Sequence, residues 1–307
     1  MDTAPATAEL DSPADTHLDR IEPAHTPHEV PCPTCSGQAA ALRLSDVYAI
    51  GRIEARFPSL AVEKEFAQSV GRAVTDGQTD RETFATVLSD PDNRYLARAL
   101  CWVLTIRELE TYIVLPRDPS DLDRLIEALR PRPRPGDLDV VIGTRGPLAA
   151  PAMCNGLVVP VVHFDQLYSF DRAELMGALP RSEGVSDDQF TAAAELVLDR
   201  ILHVADNAGA TDEHRALNYL AMRYSEIYRR TATQFEANFS LTGVDVRPSS
   251  LGGGRSIVDC IFSYTDRRTS FTEKYFVAVD VTERVPVPDR QPRPLLRPHQ
   301  HLLRRAP

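Results

Sequence analysis

The residues best suited to chemistry in this 307-residue chain are two cysteines near its start, Cys32 and Cys35, which enclose a proline and a threonine. Two thiolates at this spacing, followed by a glycine, can form a knuckle whose backbone N–H groups point at the sulfurs. That arrangement suits tetrahedral Zn²⁺, which needs two more ligands. Cys154 is the best further candidate because an Asn-Gly pair places it in a loop. The prediction is a closed, structural zinc site at Cys32, Cys35 and Cys154.

Three histidines are candidates for the fourth zinc ligand, and the sequence does not rank them: His28, His163 and His203. The Cys32–Cys35 pair has two other interpretations, a thioredoxin-like redox motif and two inert thiols. A redox pair should follow a strand and open a helix, whereas a Pro-rich stretch precedes this one. The remaining cysteines, Cys101 and Cys260, lie in predicted strands and are expected to be small buried apolar groups.

Three further patterns have a functional and a structural interpretation. Cys154 with His163 could form a nucleophile and base, although the sequence lacks the GxSxG and HExxH motifs. The glycines 252–254 lack the ending of a P-loop and indicate a hairpin connection instead. Aspartates in three terminal strands could bind a hard cation, but the pattern favours a solvated sheet face with basic partners. These aspartates are Asp245, Asp259 and Asp280, and the basic partners are Arg247, Arg255 and Lys274.

Composition limits the classes of partner. The formal net charge is −10, and no basic stripe with interleaved aromatics occurs in the body of the chain, so nucleic acid is not expected. The N-terminus has no secretory pattern, and no apolar run is long enough to cross a bilayer. We therefore expect a cytoplasmic protein without membrane contact, whose five cysteines are free thiols or metal ligands.

The chain divides by composition into three parts. Residues 1–41 and 284–307 are rich in Pro and poor in apolar periodicity, which predicts an unstructured arm and an unstructured Arg/Pro tail. Residues 42–283 should form a single main α+β domain of mixed, mostly antiparallel strands. Strands are predicted over 46–57, 101–106, 111–115, 138–143, 157–164, 239–247, 256–264 and 273–281. Two long amphipathic helices, 186–205 and 213–235, should pack as a pair.

Several short sequence segments, or phrases, between residues 47 and 283 are similar to those of a known protein family. They include CWVLTI at 101–106, LPRDP at 115–119, DVVIG at 139–143, MCNGL at 153–157, FDQLYSF at 164–170, RALNYL at 215–220 and EKYFV at 273–277. In these phrases the chain resembles the C-terminal domain shared by the two proteases of cyanobactin maturation, the PatA/PatG type. The resemblance implies a role in maturing a ribosomally made peptide, without an established catalytic activity for the domain.

Proteolysis is not carried over, because the chain has neither room for a subtilisin-like domain nor a Ser/His/Asp signature. We expect a non-proteolytic accessory domain that binds a precursor peptide or a maturation enzyme and can form a homodimer. The alternatives are a zinc- or Cys-dependent peptide-modifying enzyme and a purely structural dimerisation module. The family continues differently after Glu283, so a frameshift is one hypothesis for the Arg/Pro tail.

Overall fold

Five strands of the first half of the chain close into a barrel in the computed structural model, which describes residues 45–71, 79–181, 184–250, 253–289 and 293–294. These strands are β1 (Ser45–Arg56), β2 (Cys101–Ile106), β3 (Leu109–Pro116), β4 (Asp137–Leu148) and β5 (Pro160–Asp171). Their order is β1-β2-β3-β5-β4, and all neighbours are antiparallel except β3 and β5.

The length of β1 allows the barrel to close. Its first part, Ser45 to Gly51, pairs with β4, and its second part, Arg52 to Arg56, pairs with β2. The single strand β1 therefore pairs with β4 along its first half and with β2 along its second half. Gly51 lies at the change of partner, where a Cβ would come within 2.5 Å of the Thr105 carbonyl oxygen. Only glycine allows this close approach of two backbones.

Eight α-helices occur in the described residues. Between β1 and β2 lie α1 (Leu60–Val70), α2 (Asp80–Ser89) and α3 (Arg94–Ala99), and α4 (Leu122–Ala128) follows β3. After β5 come α5 (Arg172–Ala178), α6 (Asp187–Leu202), α7 (Asp212–Arg223) and α8 (Glu226–Glu236). A capping box starts α2, since Thr79 and Glu82 satisfy each other's backbone N–H groups. None of these helices is long and apolar enough to cross a membrane.

A second sheet follows the helices. It contains β6 (Phe239–Pro248), β7 (Ile257–Asp266), β8 (Thr272–Asp280), β9 (Val287–Pro288) and β10 (Arg293–Pro294). The order is β10-β8-β7-β6, and β9 also pairs with β8. The three long strands confirm the predicted terminal strands, and the mixture of both sheets with helices confirms the α+β class.

Two buried clusters hold these layers together. One takes side chains from all five barrel strands and from α1 to α4, with Trp102 and Phe164 among its largest members. The other places α6, α7 and α8 between the outside of the barrel, at Tyr48 and Ile142, and the second sheet, at Phe262. Burial of these apolar faces is the main force holding the barrel, the helices and the sheet as layers.

Three expectations need correction. The helix predicted over 213–235 is broken at Tyr224 and Ser225, where the Tyr228 hydroxyl caps the end of α7 by donating to the Ala221 oxygen at 2.6 Å. The strand predicted to end at Phe164 continues to Asp171. The tail predicted to be unstructured from 284 lies on the body at first, because Arg284 pairs with Asp46 and Asp165, and β9 and β10 pair with β8.

Candidate functional site

A groove of about 760 Å³ lies beside the barrel at the end of β1. Its lining comes from the end of β1 and the residue after it (55–57), from Ser59, Leu60 and Glu63 at the start of α1, from Phe84 of α2, from Glu110 of β3 and from residues 154–157 of the β4–β5 connection. This volume is within the range of small-molecule and peptide-binding clefts.

The floor of the groove is aromatic. Phe57 and Phe84 stack with ring centroids 5.2 Å apart, and Phe66 lies 4.6 Å from Phe84 and 5.3 Å from Phe57. Phe66 is buried, whereas Phe57 and Phe84 are half-buried and reach the groove. Leu157 adds an aliphatic surface from the opposite wall. The floor therefore offers a rigid apolar contact surface, because three packed rings restrict one another's rotamers.

The rim of the groove is charged and has an acidic excess. The Arg56 guanidinium pairs with Glu110 and, at 3.1 Å, with Glu54. Glu63 lies in the exposed first turn of α1 and also lines the groove. Ser59 caps that helix by accepting from the Val62 N–H. The charged side chains that line the groove are therefore one arginine and two carboxylates, Glu63 and Glu110, an excess of negative charge that favours a ligand carrying positive charge.

One wall of the groove is a loop tied to the barrel by a disulfide. Cys154 in the β4–β5 connection bonds to Cys101 at the start of β2, with the two Cα atoms 5.6 Å apart. Both cysteines are buried with Val103, Ile113, Ala149 and Val161. Asn155 and Gly156 have positive φ, and the Leu157 N–H donates to the Cys154 oxygen at 2.9 Å. The disulfide and this tight turn together fix the position of residues 154–157.

The disulfide corrects two expectations for the cysteines. Cys101 was expected to be a small apolar group, and Cys154 a thiolate ligand or a nucleophile; instead their sulfurs bond to each other. A disulfide sulfur is not a thiolate, so neither a metal site nor catalysis can use Cys154 in this form. The prediction for Cys260 is confirmed: it is free and fully buried, and burial raises the pKa of its thiol.

The other predicted zinc ligands are not assembled around Cys154. Cys32, Cys35 and His28 lie outside the described residues. His163 is exposed on β5, and His203 is exposed at the C-terminal end of α6, where its Nδ1 lies 2.7 Å from the Asp199 oxygen. Among the described residues, no group of three or more His, Cys, Asp or Glu side chains is placed to hold a metal ion.

Two of the three terminal-sheet aspartates, Asp259 and Asp280, pair with basic side chains, as the sequence favours. Arg247 lies 3.9 Å from Asp259, and Arg255 lies 2.9 Å from Asp280. The glycine run falls between β6 and β7, which pair as an antiparallel hairpin; Gly252 itself is outside the described residues. These segments therefore provide sheet structure rather than a cation or phosphate site.

Exposed apolar side chains mark the region around the groove, and sequence reasoning did not identify them. Leu60 lines the groove and is 62% exposed. Four further large apolar side chains, between 42% and 71% exposed, lie in chain segments next to lining residues: Leu109, Leu148, Met153 and Val158. Exposed apolar surface beside a groove is typical of an interaction site. The available signal was the apolar content of the loop from Leu148 to Val158, which is unusual for a solvent-facing connection.

Comparison with known proteins bears on this fold. The family model described as PatG C-terminal covers α6 to α8 and most of the second sheet. Residues 184–290 match the PatG C-terminal family. This match confirms, for that part of the chain, the resemblance identified from the sequence.

A solved structure titled "PatG Domain of Unknown Function" has the same fold. It matches with a TM-score of 0.66 at 21% identity, over 82% of this chain and 98% of that one. No curated protein matches the chain. The groove is lined by residues between 55 and 157, outside the residues 184–290 that the family model matches. The family match alone therefore does not identify a binding site.

Proposed function

We propose that this chain is a non-proteolytic accessory domain in the maturation of a ribosomally made peptide, and that the groove beside β1 binds a segment of that peptide. The observation that carries the proposal is the groove itself, with its phenylalanine floor and surrounding exposed apolar side chains. The family resemblance supports the peptide as ligand, since it connects the chain with cyanobactin maturation.

The groove chemistry specifies the kind of segment. An apolar side chain of the peptide can pack against Phe57 and Phe84 and displace water from these two rings, which are half-buried in the free chain. The acidic excess at Glu63 and Glu110 favours a neighbouring Lys or Arg on the same segment. We therefore expect an apolar residue next to a basic one to bind best. A maturation enzyme that presents such a segment would use the same contacts.

A binding titration with matched variants tests this function. The probe is a fluorescein-labelled cyanobactin-type precursor peptide, followed by anisotropy with the full chain. Leu60→Lys places a positive charge at the groove in a side chain that is 62% exposed, and Phe271→Lys makes the same change at a 58% exposed residue on the β7–β8 turn. We expect Leu60→Lys to weaken binding at least tenfold, because it removes an apolar contact and repels the basic residue of the peptide, and Phe271→Lys to leave binding unchanged. Absence of binding by the unaltered chain, or equal affinity of both variants, would refute the proposal.

Zinc is a second part of the proposal. We propose that Cys32 and Cys35 bind Zn²⁺. Cys154 is not included, because its sulfur is bonded to Cys101. Zinc content of the chain, measured by atomic emission, should fall in Cys32→Ser/Cys35→Ser. Equal zinc in the unaltered chain and in that variant would exclude this site. Cys154→Ser is the control and should keep the zinc of the unaltered chain.

A further inference from the structure

One edge of the second sheet has no strand beside it among the described residues. β6 pairs with β7 from Phe239 to Pro248, and it ends the strand order of that sheet. The opposite edge, β8, is covered in part by β9 and β10. An uncovered edge presents a row of backbone donors and acceptors, and pairing with another strand satisfies them.

The ladder with β7 determines which peptide groups face this open edge. The Ser249 N–H donates to the Ile257 oxygen at 2.8 Å, and hydrogen-bonded pairs alternate along antiparallel strands. Arg247 and Asp245 therefore also direct their peptide groups toward β7. Val244, Val246 and Pro248 direct theirs outward. Pro248 has no N–H to donate, which fits a proline at an edge position.

The side chains of β6 alternate between two faces. Val244 and Val246 pack against the cluster formed with α6, α7 and α8. Asp245 and Arg247 lie on the other face and are exposed. Two opposite charges thus lie two residues apart on an open edge, with a valine between them. A strand with this pattern is complementary to itself when it is turned antiparallel, because each charge then faces its opposite.

We propose that two copies of the chain associate by pairing β6 with β6, antiparallel, with Val246 opposite Val246 of the second copy. In this register the two Val246 residues exchange both backbone hydrogen bonds. Each Val244 N–H donates to the Pro248 oxygen of the other copy. Because proline has no N–H, the return bond from Pro248 to the Val244 oxygen is absent at each end of the pairing. Asp245 lies opposite Arg247 of the second copy, and the reverse pair forms by symmetry.

The charges favour this register over its neighbour. Centring the pair on Val244 would place Asp245 opposite Gly243 and Arg247 opposite Leu241 of the second copy, so that the only acidic partner of Arg247 would be Asp259 of its own chain. The β6–β7 register also shifts between Leu241 and Gly243, which interrupts regular pairing toward the start of β6. The regular and charge-complementary part of the edge is therefore the short stretch around Val246. This surface is separate from the groove, so the dimer does not depend on peptide binding.

Charge reversal tests the proposal directly. Asp245→Arg places like charges opposite each other twice in the dimer, and so does Arg247→Asp. The double variant Asp245→Arg/Arg247→Asp restores both attractive pairs. Sedimentation velocity of the full chain should show a concentration-dependent dimer whose dissociation constant rises at least about tenfold in each single variant and recovers in the double variant. Recovery also shows that the single variants did not act by unfolding.

A control and two contrary outcomes complete the test. Lys274→Glu makes the same change of charge as Arg247→Asp on the exposed part of β8, away from the β6 edge, and should leave the dimer intact. A chain that stays monomeric at all concentrations refutes the proposal. So does a dimer that none of the β6 variants weakens. If hydrogen exchange shows protection of β6 only when a precursor peptide is added to a monomer, the edge binds a peptide strand and the proposed dimer is wrong.

Discussion

The side-chain amide of Asn218 donates a 2.8 Å hydrogen bond to the main-chain oxygen of Tyr48, across 170 residues of sequence. Asn218 belongs to α7 and Tyr48 to β1, and both are almost completely buried. The same Asn218 exchanges hydrogen bonds with Asn207 in the loop before α7. These bonds fix the helical layer to the barrel by polar contacts in an otherwise apolar interface, where an unpaired partner would be costly.

We expect Asn218→Ala to lower the free energy of unfolding by about 2–3 kcal/mol, because it removes the side-chain partner of the Tyr48 oxygen and both hydrogen bonds between Asn218 and Asn207, which keeps only its bond to the Ile201 oxygen. Urea unfolding measures the change. Glu195→Gln, on the exposed side of α6, is the control and should alter stability by less than about 0.5 kcal/mol. Equal stability of both variants would mean that water replaces the lost bonds.

Gly209 provides a second test of the same junction. Its φ is +70°, its oxygen accepts from the Tyr48 N–H at 2.9 Å, and an added Cβ would lie 2.2 Å from the Tyr48 oxygen. Gly209→Ala should therefore destabilise the fold by at least about 2 kcal/mol.

Gly177 is the matched control, because nothing lies within 4 Å of a Cβ there and the residue is exposed in α5. Gly177→Ala should be neutral or stabilising, by up to about 1 kcal/mol. Thermal unfolding followed by circular dichroism compares the two. If both glycines tolerate alanine equally, the close approach at Gly209 is relieved by a backbone shift.

Local patterns predicted the elements of this fold well, and long-range pairing explains what they could not predict. The strands predicted over 101–106 and 239–247 depend on the types of neighbouring residues, and both are confirmed. Closure of the barrel depends on the parallel pairing of Ile113 with Val161 and on the division of β1 between two partners, which no local pattern contains. The end of β5 was missed because polar residues interrupt its apolar run.

The candidate site was less predictable than the fold. The sequence drew attention to Cys154 and its Asn-Gly turn, and this loop does form a groove wall. The disulfide joins Cys154, in a loop, to Cys101, at the start of a strand 53 residues earlier in the sequence. Neither cysteine belongs to a short motif, such as CxxC, that would have predicted the pairing. The same holds for Arg284, whose partners Asp46 and Asp165 are far away in sequence. Composition therefore predicted an unstructured tail from residue 284, whereas the ion pairs of Arg284 fix the start of that segment to the folded domain.

The disulfide should contribute to stability mainly by restricting the unfolded chain. For a separation of 53 residues, the chain-entropy treatment gives about 4 kcal/mol. We expect dithiothreitol to lower the free energy of unfolding of the unaltered chain by up to this amount. The variant Cys101→Ala/Cys154→Ala should respond to the reductant hardly at all. A full response in that variant would assign the effect to the other cysteines, and an unchanged parent after verified reduction would show that the bond adds no stability.

The pH dependence of stability should carry a recognisable contribution from Asp139. Burial raises the pKa of this carboxyl, while hydrogen bonds from the Ser169 hydroxyl and the Ile53 N–H, and the charges of Arg130 and Arg81, act in the lowering direction. A carboxyl whose pKa is raised in the folded state holds its proton more tightly there than in the unfolded chain. Its contribution therefore falls as the pH rises from the ordinary aspartate value, about 3.9, through the raised one.

Asp139→Asn removes this titration while keeping the size of the side chain. Relative to that variant, the unaltered chain should lose about 1.4 kcal/mol between pH 4 and 7 for each unit by which the pKa is raised. Asp266→Asn is the control of opposite sign. Backbone N–H groups of Arg268 and Thr269 lower the pKa of Asp266, so there the unaltered chain should gain relative stability as the pH rises. Urea unfolding at each pH gives both differences, and a flat difference for Asp139 would show that its carboxylate stays ionised and compensated by Arg81 and Arg130.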